Sequence, residues 1–397
     1  MSTAPLLDPN RLPEIQALLV DLGADGWLLY DFRDQNPLAH HLLGLGKTTR
    51  RAFAYFPASG EPRLLYQAIE ASAWRDWPWE RRSYRSWEEL GEALSELLAG
   101  ARVVAMEYSP DSAVPTVDRV PAGILDLVRT TGASVVSSGD LLSVFHSRWS
   151  EVGLRLHREA AQVVRDTAMG AFERAARAVG EDSPVHEREL MDWIENTLVE
   201  EGVTEQVGCI AAIGVRAADP HYSPAGTGEA IVDGSLLLID LWGAKAGGIP
   251  ADQTWMAVIG EEASPRALEI WSVVHAAREH ALTLLRERAA AGAEIRGWEA
   301  DEAVRVLLRE RGLEQWLPHR LGHSMDAELH GSGPNLDHLE TRDERRLLPG
   351  VGFSVEPGVY IPGEIGMRTE VNVYWGPGGP EVTTPDPQDE LLYFPTS

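Results

Sequence analysis

The chain has 397 residues, of which 44% are hydrophobic and 24% charged, the composition of a globular protein with room for two domains. Its formal net charge of −26 argues against nucleic acid or an anionic membrane surface as a partner, because both are polyanions. The single cysteine excludes an internal disulfide. The opening segment MSTAPLLDPN carries no secretion-signal pattern, so we expect a cytoplasmic protein without a membrane span.

The first part of the chain alternates short apolar runs with helical patterns, which predicts an α/β domain over residues 1–148. The predicted strands are GWLLYDF, RAFAYFP, PRLLY and RVVAMEY. A helix is predicted from Trp87 to Leu98, with Ser86 as its N-cap and Gly100 closing it. No cluster of metal-type ligands and no phosphate loop falls in this part, so we expect it to shape or cover a site built elsewhere.

Residues 149–397 are predicted to form an α+β domain, with helices outside a curved, mostly antiparallel sheet. A long helical pattern begins after Ser150, and another covers HERELMDWIENTLVEEG. Two more helices are predicted over about 265–291 and 298–311. Strands are predicted around 208–214 and 236–241, and later strands are expected to carry Glu356 and Glu370.

Five residues that commonly bind metals interrupt apolar runs in this second domain. In LLLIDLWGAKAGGIPADQTW, Asp240 closes one run and Asp252 opens the next, which predicts a β-hairpin with two inward carboxylates. His323 follows in PHRLGHSMDAELHGSG, Glu356 in GFSVEPGVY and Glu370 in GMRTEVNVYW. Any one of these residues alone is typical of a turn cap or a satisfied core residue. Their joint occurrence in strand-like sequence favours a metal site.

Four carboxylates buried close together need cations to cancel their charge, because an isolated buried carboxylate takes up a proton instead of ionising. Four carboxylates and one imidazole suit two divalent ions, of which manganese is the leading candidate and cobalt and zinc are alternatives. In such two-metal sites the ions lie roughly 3.5–4 Å apart and share carboxylates and a water.

The ordered set IDL…ADQT, HRLGHSMDAELH, VEPG and MRTE resembles the pita-bread metallopeptidases, which include Xaa-Pro dipeptidases (prolidases), Xaa-Pro aminopeptidases and methionine aminopeptidases. Creatinase is a metal-free relative that lacks the full ligand set, which this chain keeps. The resemblance covers most of the chain and implies a creatinase-like α/β domain followed by the pseudo-twofold pita-bread domain. It also implies a homodimer.

Carried over residue by residue, the resemblance makes Asp240 a two-oxygen ligand of one ion, and Asp252 and Glu370 bridges between the two ions. His323 and Glu356 complete the second ion. Glu356 is also the expected proton carrier for a metal-bridging hydroxide formed from water whose pKa falls to roughly 7. The resemblance also implies that two catalytic histidines, His221 and His330, stabilise the oxyanion. It implies three substrate contacts, which are His319, Arg342 and Arg368.

The histidine set matches the proline-specific members of the family, so the expected substrate is an Xaa-Pro dipeptide. An arginine between His330 and Glu356 binds the substrate carboxylate in prolidases, and Arg342 is the candidate, with Arg345 and Arg346 as alternatives or surface charges. Two other functions stay open: an Xaa-Pro aminopeptidase acting on longer peptides, and a catalytically inactive partner-binding module.

This chain departs from the family pattern beside the ligand histidine. The usual segment there is glycine-rich, whereas Ser324 and Asp326 replace glycines, and the usual acid after the second histidine is Gly331. The loop from Asp240 to Asp252 is one residue longer than usual, and ADQTW replaces the commoner Asp-Ile-Thr-Arg-Thr. The ligands are intact, and substrate preference is the property that these changes affect.

Overall fold

The structure, a computed structural model, describes residues 6–397. Residues 1–5, half of the segment in which no secretion signal is predicted, lie outside the described residues. The chain divides into two compact units, one ending at His146 and the other beginning at Ser147, two residues before the predicted domain boundary. No helix within residues 6–397 is long and apolar enough to cross a membrane.

The amino-terminal unit contains a mixed sheet of six strands in the order β4-β3-β2-β1-β5-β6. The strands are β1 (Gly26–Asp31), β2 (Ala52–Pro57), β3 (Arg63–Gln67), β4 (Glu80–Tyr84), β5 (Val103–Met106) and β6 (Ser134–Ser137). The helices are α1 (Leu12–Asp21), α2 (Pro37–Leu43), α3 (Trp87–Leu97), α4 (Ala122–Arg129) and α5 (Gly139–Phe145). Central β1 is buried along its whole length, and the hydroxyl of Ser86 caps α3 as predicted. The α/β prediction for this unit is confirmed. The expectation that it holds no cluster of metal-type ligands is wrong, because Asp31, Asp34 and His40 form a group that could hold an ion.

A fully buried carboxyl group, Glu107, joins three elements of this unit. Its oxygens accept hydrogen bonds from the Trp27 indole (2.7 Å), the Asn36 amide (3.0 Å) and the Ser138 hydroxyl (3.2 Å). Burial raises the pKa of Glu107 from 4.5 to about 7, although these hydrogen bonds oppose the shift. The folded protein therefore keeps a proton here that the unfolded chain has released.

We expect Glu107 to make the protein less stable as pH rises through 7. Its contribution is complete below about pH 4.5, where both states are protonated, and is lost as pH rises through the folded-state pKa of about 7. That shift corresponds to about 3 kcal/mol. Urea unfolding from pH 4.5 to 8 should show this change as the difference between wild type and Glu107→Gln. For the exposed Glu61→Gln, the difference from wild type in free energy of unfolding should not change with pH. A pH-independent difference for Glu107→Gln would contradict the raised pKa of Glu107.

The carboxy-terminal unit runs through one order of elements twice: a long helix, a shorter helix and then strands. The helices are α6 (Glu151–Gly180), α7 (Glu187–Glu200), α8 (Pro265–Ala290) and α9 (Gly297–Glu310). The strands are β7 (Glu205–Ile213), β8 (Ser235–Ala244), β9 (Ala251–Ile259), β10 (Ser324–Met325), β11 (Gly352–Val355), β12 (Gly358–Ile361), β13 (Ile365–Arg368), β14 (Val371–Gly376), β15 (Gly379–Val382) and β16 (Leu392–Phe394). The four predicted helices are confirmed, and the Ser150 hydroxyl caps α6.

Strands β7, β8 and β9 form an antiparallel sheet whose two faces serve different purposes. Side chains alternate between faces along a strand. Leu237, Ile239 and Leu241 lie in one core cluster with residues of α6 and α7. Leu238 lies in a second core cluster, together with residues of α8 and α9. Asp240 has the same parity as Leu238, so it projects from the second face.

The prediction that strands carry the two glutamates is wrong by one residue in each case. Glu356 follows β11 directly, and Glu370 lies just before β14. Strands β11 and β14 belong to a four-stranded sheet, whereas β12 and β13 form a separate two-stranded sheet. Each glutamate thus lies where the chain passes between sheets, and Pro357, which lacks an N–H, does not continue the ladder after Glu356.

Candidate metal centre

The β8–β9 hairpin brings the two aspartates together, as predicted. Asp240 pairs with Thr254 and Trp242 pairs with Asp252, so the aspartates are diagonal neighbours on one face. Both are buried, with 7% and 6% of their surface exposed. The Thr254 hydroxyl donates to Glu370 Oε2 at 2.7 Å and lies 3.3 Å from Asp240 Oδ1. The hairpin therefore positions Asp240 and Asp252, and the Thr254 hydroxyl links Glu370 to them.

His323 enters the same space because the chain before it packs tightly against β11. A Cβ at Gly322 would lie 1.9 Å from the Ser354 carbonyl oxygen, so only glycine fits there. The His323 N–H donates to the Ser354 hydroxyl (3.0 Å), which donates in turn to Glu356 Oε1 (3.1 Å). His323 Nδ1 lies 3.2 Å from the Ser324 carbonyl oxygen. Since a carbonyl only accepts, Nδ1 carries the proton, and the Nε2 lone pair faces the acids.

Arg368 is the buried cation of the site. Its guanidinium pairs with Asp240 Oδ2, donates from Nε to the Thr254 hydroxyl at 2.7 Å, and lies 3.3 Å from the Tyr360 hydroxyl. One arginine balances one carboxylate. The remaining three acids need positive charge from another source.

The electrostatics of the acids show that deficit directly. Burial, followed by repulsion from Asp240 and Glu356, raises the pKa of Asp252 well above its usual range. Burial and the neighbouring acids do the same to the pKa of Glu370. Burial also raises the pKa of Asp240, with Arg368 opposing the shift. For Glu356, burial is outweighed by nearby positive groups, and its pKa lies below the usual value.

The residues present fit divalent cations. Oxygens Asp252 Oδ1 and Glu370 Oε1 are buried without a hydrogen-bond donor, although such atoms are almost always paired in folded proteins. Ligand atoms of Asp252, His323 and Glu370 lie within 4.8 Å of one another. His323 Nε2 directs a lone pair at Asp252 Oδ2, 3.2 Å away, an arrangement that a cation between the two atoms stabilises. The Nδ1–H bond to a carbonyl is the support that metal-binding histidines generally have.

These side chains line a cavity of about 530 Å³ within the carboxy-terminal unit. Its wall includes each predicted metal ligand: Asp240, Asp252, His323, Glu356 and Glu370. Apolar surface comes from Ile210, Trp242 and Leu329. The volume falls within the range of small-molecule sites.

The three other predicted histidines line the cavity but differ in their availability. His319 has both ring nitrogens occupied, with Nδ1 donating to the Arg320 carbonyl (2.7 Å) and Nε2 accepting from the Tyr360 hydroxyl (3.0 Å). Burial lowers the pKa of His319, which favours this neutral form. No ring-nitrogen hydrogen bond to a described residue is found for His221 or His330. Both are therefore free to donate to a bound molecule.

The structure does not bring Arg342 to the cavity. Its guanidinium stacks on the Trp298 ring at 4.5 Å and pairs with Glu344 at 2.9 Å, with 55% of the side chain exposed. The alternatives are also occupied elsewhere, since Arg345 pairs with buried Asp343 and Arg346 pairs with Glu294 at 3.6 Å. None of the three predicted arginines lines the cavity in the structure, so their role in binding a substrate carboxylate stays a prediction.

Two residues that depart from the expected family pattern, Asp326 and Gly331, lie against each other in the structure. Asp326 is buried, and its carboxylate accepts from the N–H groups of Glu328 (3.0 Å) and Ser332 (2.8 Å). A Cβ at Gly331 would lie 2.8 Å from the Asp326 carboxyl carbon. The Asp326 carboxylate therefore closes the loop that carries His330, and it leaves no room for a side chain at position 331.

We therefore expect Asp326→Gly to loosen this loop and lower activity about 10- to 100-fold, the range seen when support of a ligand or catalytic group is lost. Gly331→Asp alone should also be harmful, because the new carboxyl meets Asp326. The double variant, which restores the family pattern, should recover activity above either single variant. Steady-state kinetics and urea unfolding of the three proteins test this expectation. If the activity of the double variant falls by the product of the two single-variant losses, the two positions are independent and the expectation is contradicted.

The sequence did not reveal three hydroxyl groups that support the cavity residues, or one cation of the cavity wall. Thr254, Ser354 and Tyr360 link the ligands and Arg368, and Arg320 lines the cavity beside His319. The position of Arg320, next to a predicted histidine in PHRLGH, was an available signal. The hydroxyls gave none, because threonine, serine and tyrosine are ordinary residues of strands.

A cavity in which carboxylates and one imidazole converge without enough protein cations is a candidate site for divalent ions. Residues 155–376 match the model of Metallopeptidase family M24. The chain belongs to this family and is a metallopeptidase.

Its similarity to individual proteins extends over nearly the whole chain. It is 26% identical over 406 residues to the probable dipeptidase PepE of Mycobacterium tuberculosis (strain ATCC 25618 / H37Rv), covering 98% of this chain and 97% of the relative. The structure is similar to the crystal structure of dipeptidase PepE from Mycobacterium ulcerans (TM-score 0.68, 22% identity, 100% and 99% coverage). It is also similar to the Xaa-Pro dipeptidase from Bacillus anthracis (TM-score 0.60, 21% identity, 97% and 99% coverage). The predicted pita-bread fold with a preceding α/β domain is confirmed.

Proposed function

We propose that this metallopeptidase hydrolyses Xaa-Pro dipeptides with two divalent ions bound by Asp240, Asp252, His323, Glu356 and Glu370. The observation that carries the proposal is the pair of buried carboxylate oxygens without donors, on Asp252 and Glu370, beside the Nε2 lone pair of His323. Manganese is the proposed ion, since hard oxygen ligands dominate the set.

When bound, the ions supply an activated water and polarise the scissile carbonyl. Glu356 takes a proton and returns it to the leaving nitrogen. The nitrogen of a leaving proline carries no hydrogen in the peptide, so this one proton converts it into the neutral secondary amine, and a second proton taken from solvent gives the ammonium form. The Ser354 hydroxyl fixes the orientation of Glu356 at 3.1 Å.

His221 and His330 are proposed to donate hydrogen bonds to the oxyanion that develops on the carbonyl. Their ring nitrogens are free, and the His330 ring packs edge-on against His323 at 4.4 Å. Partial burial in the cavity, followed by the charges of His323 and Arg320, lowers the pKa of His330 to about 4. At neutral pH His330 is therefore a neutral donor. His319 and Arg368 both contact the Tyr360 hydroxyl and line the cavity, and they are the proposed substrate contacts.

A cytoplasmic location and a homodimer, both predicted from the sequence, remain part of this proposal. The name of the mycobacterial relative, a probable dipeptidase, supports the choice of a dipeptide over a longer substrate.

The test is hydrolysis by manganese-supplemented protein of an Xaa-Pro dipeptide, the same dipeptide extended by two residues, and a methionyl peptide without proline. We expect preference for the dipeptide and loss of activity with a chelator. Preference for the extended peptide would establish the aminopeptidase alternative. Release of methionine would refute the proline assignment, and inactivity of a fully metallated sample would favour a partner-binding module.

A further inference from the structure

Arg320 lies in the wall of the metal cavity with its hydrogen-bonding capacity unused. The side chain is 24% exposed, and its Nη1 lies 3.6 Å from a Glu340 oxygen, beyond hydrogen-bonding distance. Both residues line the cavity. The guanidinium donates no hydrogen bond to any residue between 6 and 397.

The second arginine of the cavity is not available in this way. Arg368 is buried and already bonded to Asp240, Thr254 and Tyr360. Releasing it would leave the Asp240 carboxylate without its partner, which is costly in a buried site. Arg320 is therefore the cavity cation that can accept a new anion.

The backbone that carries Arg320 is held in place by the preceding residue. Arg320 follows His319 directly in the chain, and His319 has its ring fixed between Tyr360 and the Arg320 carbonyl. This fixed histidine holds the backbone from which the guanidinium projects.

We propose that Arg320 binds the terminal carboxylate of a dipeptide substrate and that Glu340 partners the guanidinium when no substrate is bound. This inference rests on the proposed function and names the residue that selects substrate length within it. A guanidinium binds a carboxylate through two parallel hydrogen bonds, a stronger contact than its present one with Glu340. A longer peptide presents a neutral amide at that point and gains no such bond.

The experiment compares Ala-Pro with its carboxy-terminal amide, which removes the charge and keeps the size. Wild type should prefer the acid at least about tenfold in kcat/KM, the value of one charge-assisted contact. Arg320→Ala should reduce that preference to within about twofold, chiefly through a higher KM for the acid, while the amide is cleaved as before. The surface variant Arg342→Ala is the matched control and should keep the wild-type preference.

Two further variants separate charge from geometry. Arg320→Lys should retain part of the preference, because an ammonium keeps the charge without the planar fork. Glu340→Gln should lower KM for the acid, because the competing carboxylate is gone. A preference that survives in Arg320→Ala, or that disappears in Arg342→Ala, would overturn the inference.

The same comparison with Ala-Leu and its amide separates this inference from the proposed function. If only Ala-Leu is cleaved, the proline assignment fails while Arg320 is still tested by the acid-to-amide ratio. If wild type cleaves amides or longer peptides as well as free dipeptides, the inference fails even though Xaa-Pro hydrolysis stands. A metallated wild type that cleaves no dipeptide would overturn both.

Discussion

Replacing Asp252 with asparagine is expected to remove bound divalent ions and to lower peptidase activity by a factor of about a thousand or more. An ion at this position contributes several kcal/mol of transition-state stabilisation, and each 1.36 kcal/mol corresponds to about tenfold in rate. Asparagine keeps the shape of the side chain but loses the charge and one acceptor oxygen. Elemental analysis after dialysis against manganese measures the first effect, and hydrolysis of an Xaa-Pro dipeptide measures the second.

This variant should not unfold the metal-free protein. Burial and neighbouring acids raise the pKa of Asp252 well above its usual range, so the charged form is unfavourable without ions. Urea unfolding in the presence of chelator should find Asp252→Asn at least as stable as wild type. Asp389→Asn is the control, because Asp389 belongs to a second candidate cluster with His275 and Glu279. Metal content unchanged in Asp252→Asn and reduced in Asp389→Asn would move the metal site away from the cavity.

Changing Glu356 to glutamine should lower kcat by about 10²- to 10⁴-fold, the usual contribution of a general base or acid. The amide keeps one oxygen toward the metals but does not accept and return a proton. Because the effect is on the chemical step, KM should change far less than kcat. Steady-state kinetics at saturating manganese separate this loss from weaker metal binding.

Glu364→Gln provides a matched control for this variant. Glu364 lies on the exposed turn between β12 and β13 and pairs with Arg266 at 2.7 Å, so its replacement should leave kcat unchanged. Wild-type kcat in fully metallated Glu356→Gln would refute the proton-carrier role while leaving the ligand set in place.

The convergence of the five proposed ligands in one cavity was predictable from the sequence, because each acid interrupts an apolar run. A carboxylate in a buried strand is expensive, and Asp240 and Asp252 flank a glycine-rich turn that fixes their common face. The hairpin register in the structure, Asp240 opposite Thr254, follows from that turn. Glu356 and Glu370 were placed in strands because the runs around them are apolar. That prediction was wrong by one residue for each glutamate, because the chain leaves one sheet for another there. Where a chain leaves a sheet depends on tertiary packing, which the local sequence does not show.

The arginine that lines the cavity was not predictable from order along the chain. Arg342 and Arg320 lie on either side of His330, and only the fold decides which guanidinium faces the cavity. In the structure Trp298 and Glu344 hold Arg342 at the surface. Supporting hydroxyls such as Thr254 were missed because a threonine in a strand has an ordinary explanation.

Two strands of the amino-terminal sheet were also missed. Strand β4 is exposed along the residues ERRS, and β6 lies at the other edge of the sheet with the short sequence SVVS. Edge strands need no continuous apolar run, since they are covered incompletely. The central strands β1, β2 and β5 were predicted because burial demands such runs.

Anomalous diffraction from manganese-soaked crystals tests the central claim most directly, because it locates the ions without reference to activity. We expect two peaks about 3.5–4 Å apart. Asp252 and Glu370 should contact both peaks, Asp240 should contact one, and His323 and Glu356 the other. A cavity without a peak at saturating manganese, or peaks confined to the cluster of His275, Glu279 and Asp389, would contradict the account.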